Sequence, residues 1–110
     1  MEIYYWKELI FVLGRKPSRK EFEDCYAKLP IELPEMKSKS KRKMLEEIFY
    51  ILNDEGKEEN PLDEQQDWIM ENLQPNPHSS MSVGDIIKLD DEYWICKGMG
   101  WEQLWCDEDE

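Results

Sequence analysis

Apolar positions recur at helical spacing over the first two thirds of the chain and alternate over the last third. Trp6, Leu9, Ile10 and Leu13 lie three and four residues apart and predict a helix over residues 2–13, stopped by Gly14. Tyr4-Tyr5 and Leu9–Leu13 suit a strand as well. Ser18-Arg19-Lys20-Glu21, just after Pro17, is a capping box in which hydroxyl and carboxylate satisfy two orphan amides. The helix it opens presents Phe22, Cys25, Tyr26 and Leu29 on one face and ends at Pro30. Residues 30–34 form an extended connector, since each proline biases its predecessor away from helix. Ser38 or Ser40 opens the clearest helix, running to about Asn53, with Met44, Leu45, Ile48, Phe49 and Leu52 as a core-facing stripe. Residues 54–59 are a charged loop around Gly56. Asn60-Pro61 then caps a short helix reaching Leu73, with Leu62, Ile69 and Leu73 inward.

The period changes after Gln74-Pro75-Asn76-Pro77. Val83, Asp85, Ile87 and Leu89 alternate with Gly84, Ile86 and Lys88, Asp90-Asp91 is a turn, and Glu92–Cys96 returns as a second strand. Trp101–Trp105 can form a third. The pattern predicts a single α+β domain over residues 1–110. About four short helices would bundle within residues 1–75, and residues 78–106 would form a two- or three-stranded antiparallel meander. Internal repeats are absent.

Charge changes the picture by its placement. The formal net charge is −12, but residues 1–52 are slightly basic while residues 53–110 hold only Lys57, Lys88 and Lys97 against a long series of acids. Such a balance excludes general affinity for nucleic acid or anionic membranes, which needs Lys and Arg. Lys37, Lys39, Lys41, Arg42 and Lys43 are concentrated enough to raise the question again. They lack interleaved aromatics and belong to no DNA-binding motif, so direct nucleic-acid binding is not expected. They read instead as a solvated helix opening, or as partners for the acidic half of the same or a neighbouring molecule. The latter would favour a homodimer, head-to-tail or two-fold. Met-Glu-Ile-Tyr-Tyr-Trp-Lys does not read as a signal peptide, and no segment reaches the ~20 apolar residues of a membrane span. A cytoplasmic protein is the expectation.

Three cysteines without a CxxC and a single histidine, His78, fit neither a zinc site nor a disulfide framework. No phosphate loop or triad spacing is present, so catalytic residues, metals and cofactors are not expected. Asp85, the one carboxylate inside an apolar strand, reads as an acceptor for nearby backbone amides, and Gly84 as a close approach or bulge.

Ser82, Val83, Asp85 and Ile86, then Tyr93, then Gly100-Trp101 stand in an arrangement that resembles the small YodL-like domain. In that family a Ser-Val-x-Asp strand is followed by a turn, a tyrosine strand and a Gly-aromatic pair. The resemblance lies within residues 78–105; Trp101 replaces the usual Phe, and the turn is shorter. It implies a protein of phage, plasmid or conjugative elements associated with anti-restriction modules, and it brings no catalytic residues with it.

Two functions are expected from these features. The first is a small acidic, non-enzymatic inhibitor that mimics DNA and occupies the basic groove of a host restriction or CRISPR effector. Asp63, Asp67 and Glu71 stand at i, i+4 and i+8, a rise of roughly 6 Å between neighbours. Glu64 widens this row, Glu58 and Glu59 lead into it, and Asp90 and Asp91 add charge at the turn between strands. The second is an adaptor that binds its partner through aromatics of the meander. Alternate strand positions cannot all face inward, so one or two of Tyr93, Trp94, Trp101 and Trp105 are expected to be exposed, with Trp94 and Trp101 as anchors.

Overall fold

A computed structural model describes residues 1–7, 16–31, 33, 40–53, 62–74, 77–78 and 80–106. Five strands make one antiparallel sheet: β1 (Glu2–Trp6), β2 (Tyr26–Lys28), β3 (Ile86–Leu89), β4 (Glu92–Lys97) and β5 (Gly100–Cys106). Their order across the sheet is β2-β1-β3-β4-β5. Three α-helices accompany it: α1 (Arg19–Cys25), α2 (Lys41–Asn53) and α3 (Gln66–Asn72), the last entered through a 3-10 turn at Asp63–Gln65.

This corrects the expected architecture. The described residues form three α-helices against a five-stranded sheet, not an N-terminal four-helix bundle joined to a small meander. The β3–β4–β5 meander is instead extended by two strands from the front of the chain. Residues 2–6 form a strand rather than the start of a helix, because Ile3 and Tyr5 are buried on one face while Tyr4 and Trp6 pack on the other. Both edges of β1 are paired: Tyr5 faces Ala27 of β2, and Ile3 faces Ile87 of β3. A backbone with partners on both sides outweighs the helical spacing that begins at Trp6. Residues 8–15 lie outside the described residues.

The capping box at Ser18 is present, Ser18 Oγ accepting from Glu21 N and Glu21 Oε1 from Ser18 N. Its helix ends at Cys25, not at Pro30. Tyr26 turns directly into extended backbone (φ −120, ψ 150), and Tyr26–Lys28 pair with Tyr4–Trp6 as an edge strand. Helix α2 buries Leu45, Ile48 and Leu52 of its stripe fully, but Phe49, expected to face the core with them, is 38% exposed.

The sheet is covered on both faces. Under α2 and α3, Ile3, Tyr5, Ile87, Leu89 and Trp94 pack with Leu45, Ile48, Leu52, Ile69 and Leu73. Under α1, Ile86, Tyr93 and Ile95 pack with Tyr4, Phe22, Cys25, Tyr26 and Trp105. Between β4 and β5 the register slips, Tyr93 facing Trp105 while Trp94 faces Gln103. The extra residue, Leu104, reverses the alternation, so Trp101 serves the α2 face and Trp105 the α1 face.

Candidate functional site

Among the acids singled out from sequence, Glu64, Asp67 and Glu71 are exposed on the 3-10 turn and α3 and have no ion pair among the described residues. Glu58 and Glu59 lie outside the described residues, as does the side chain of Asp63. Residue 63 itself sits in the 3-10 turn, whose tighter winding takes it off the regular i, i+4, i+8 row. Asp67 and Glu71, four residues apart on α3, share one face of that helix, while Glu64 lies in the 3-10 turn that leads into it. Asp90 and Asp91 are exposed at the β3–β4 turn, with Asp90 at φ 53.

Acids on the sheet are in a different state. Lys28 reaches Glu2 at 2.9 Å and Lys88 approaches it at 3.7 Å. Lys41 meets Glu92 at 2.6 Å, and Lys16 and Lys97 meet Glu102 at 2.8 and 3.4 Å. The lysine hydrogen bonds hold these three carboxyls below the usual range. Lys41, from the basic stretch, is therefore matched to an acid of the same molecule. Each of these sheet acids holds a lysine, whereas Glu64, Asp67 and Glu71 hold none among the described residues.

The aromatic candidates divide. Trp94 is buried, with the Arg42 guanidinium 5.3 Å from its ring centre, and Tyr93 is buried too. Trp94 is therefore not the exposed anchor expected from strand alternation, because the sheet carries a packed cluster on each face. Trp101 is half-buried and meets Phe49 edge-on.

Sequence reasoning read Asp85 as a backbone acceptor and Gly84 as a close approach, as the structure has them, but missed the histidine and the strands gathered around them. Asp85 is fully buried, and its carboxylate accepts from Ser82 N (2.7 Å), Trp6 N (3.1 Å) and Ser82 Oγ (3.2 Å). His78 Nε2 lies 3.1 and 3.2 Å from its two oxygens. The imidazole stacks on Tyr5 (4.7 Å, 7°) and lies against Trp6. Burial pushes the Asp85 carboxyl up, opposed by His78 and the amides of Ser82 and Trp6. Gly84 completes the cluster: its carbonyl accepts from the Tyr26 hydroxyl, and Val83 O accepts from Trp6 Nε1. The signal was a sole histidine seven residues ahead of a carboxylate in an apolar strand.

Chemically this is a clasp, joining β1, β2 and the approach to β3. Cys96, opposite Asp85, has a thiol pushed up to about 11 by burial first and the Asp85 charge second, so it is protonated at neutral pH. Gly84 has φ +99, and a Cβ there would stand 3.2 Å from Trp6 Cδ1. Gly84→Ala is therefore expected to cost about 1–3 kcal/mol in a denaturant melt; an unchanged midpoint would contradict the close approach.

Among the described residues no group of three metal-ligating side chains occurs, and no helix is long and apolar enough to cross a membrane. Comparison with protein-family models, with curated proteins and with solved structures gives no match.

Proposed function

We propose that the protein is a small, non-enzymatic, DNA-mimicking inhibitor, acting in the host cytoplasm on a defence nuclease such as a restriction or CRISPR effector. The observation that carries this reading is the contrast between acids on the sheet that hold lysines and acids on the 3-10 turn and α3 that hold none among the described residues. Carboxylates that already hold a lysine gain little from a partner. Glu64, Asp67 and Glu71 keep their full field for one, and a basic nucleic-acid groove is the complementary surface. The resemblance of residues 78–105 to YodL-like domains supports a mobile-element origin and hence a defence complex as the partner.

The test is expression in cells carrying defined restriction and CRISPR systems, scored by phage plaquing. Rescue in at least one system is expected, and no rescue across a broad panel removes the proposal. With the target in hand, the triple variant Glu64→Gln, Asp67→Asn, Glu71→Gln is expected to slow association by about 10-fold or more at low salt. That difference should shrink as salt rises. An association rate equal to wild type would take α3 out of the interface.

A further inference from the structure

Three of the sheet's aromatic rings lie against cations. Arg19 lies over both Tyr93 (5.2 Å) and Trp105 (5.1 Å), Lys88 over Tyr93 (5.3 Å) and Arg42 over Trp94 (5.3 Å). Trp101 has no cation over its ring among the described residues. It instead forms the wall of a groove of ≈ 240 Å³ between α2 and the β4–β5 turn. Phe49 stands across it at 85°, ring centres 6.4 Å apart, so the two rings make a corner. Glu46, one turn before Phe49 on α2, lines the same groove; it is exposed and has no ion pair among the described residues. Arg42, a turn earlier still, does not reach for Glu46. It turns to Trp94 and donates to Trp101 O at 3.2 Å. Lys97, also on the rim, is directed at Glu102.

We propose that this groove receives one arginine side chain from a partner protein. The aliphatic stem would lie in the Phe49–Trp101 corner and the guanidinium would meet the Glu46 carboxylate. Charge complementarity selects the occupant. An apolar segment would leave Glu46 facing a desolvated wall, and an acidic one would face its like charge, whereas guanidinium satisfies ring quadrupole and carboxylate together. The neighbouring Arg42–Trp94 contact is the same chemistry made within the molecule. This inference shares with the proposed function only the expectation of a basic partner; its residues are separate from those of α3.

The experiment is an NMR titration of the indole N–H signals with N-acetyl-arginine amide and with its citrulline counterpart, which has the same shape and no charge. The Trp101 signal is identified by its loss in Trp101→Phe. Arginine amide should move that signal with millimolar affinity, while citrulline amide and the Glu46→Gln variant should bind at least about 3-fold more weakly. Glu46 is exposed, so its variant should fold, and unchanged signals from the other four tryptophans verify this. Failure of arginine amide to move Trp101 overturns the proposal, as does equal binding of citrulline amide or an unaffected Glu46→Gln. The triple variant on α3 should titrate like wild type. Loss of arginine binding at the groove therefore leaves the phage assay to speak for the inhibitor reading, and the reverse also holds.

Discussion

Asp85→Ala is expected to destabilise the protein by about 3–5 kcal/mol, the largest effect of any single substitution at the clasp. The carboxylate is fully buried and gathers donors from Trp6, Ser82 and His78. Alanine would remove the acceptor shared by two backbone amides and an imidazole at a part-buried site. Each such loss is costly by itself, and a domain of this size has about 5–15 kcal/mol in total. Urea denaturation at pH 7 measures the change, and a loss under about 1 kcal/mol would show that the donors find other partners.

If the alanine variant does not fold, Asp85→Asn gives the same information with its volume kept, and it adds a pH arm. The folded-state pKa of Asp85 is raised, with burial the leading cause. Its contribution to stability is therefore complete below the unfolded value of about 3.8 and declines as pH rises through the folded value. Wild type should gain on Asp85→Asn as pH falls from neutrality toward that value. A constant or reversed difference would mean that His78 and the amides outweigh burial.

Ile48→Ala should cost about 2–5 kcal/mol, since its side chain is fully buried at the middle of α2 against the sheet. Leu45 and Leu52, on the same stripe, leave little room for the cavity to collapse. Tyr50, two residues on, is 63% exposed, and Tyr50→Ala should change stability by less than about 0.5 kcal/mol. The pair reads out which face of α2 meets the sheet. Equal effects would contradict the packing, and both variants are compared by denaturant midpoint.

How much of this was legible depends on the range of the interactions involved. The capping box at Ser18, the turn at Asp90-Asp91 and the stripe of α2 apart from the exposed Phe49 are local patterns, and each stands where the sequence places it. Strands β1 and β2 are decided by pairing. Tyr26–Lys28 is too short to announce itself and is extended because Tyr4–Trp6 lie beside it. The helical spacing of Trp6 with later residues competed with the alternation of Ile3 and Tyr5, and only a neighbour on each side resolves that contest. Exposed acids could be recognised from composition, but which of them hold a lysine could not. Lys41 and Glu92 are brought together by the fold alone. The clasp follows the same rule, since Asp85 needs Trp6, far from it along the chain.

The place of β1 in the sheet has a consequence for how the molecule comes into being. Its partner strand β3 pairs Lys88 with Glu2, 86 residues earlier, and the five-stranded sheet cannot close until both segments have been made. Contacts of such long sequence separation slow folding and favour a single cooperative transition. A nascent chain emerging from the ribosome would hold α1 and α2 without the surface they cover. The N-terminal strand would wait, unpaired on one edge, for the last third of the protein. The folded sheet should thus appear all at once with the final strands, and a chain cut short before β3 should carry the acids of α3 without the scaffold that displays them.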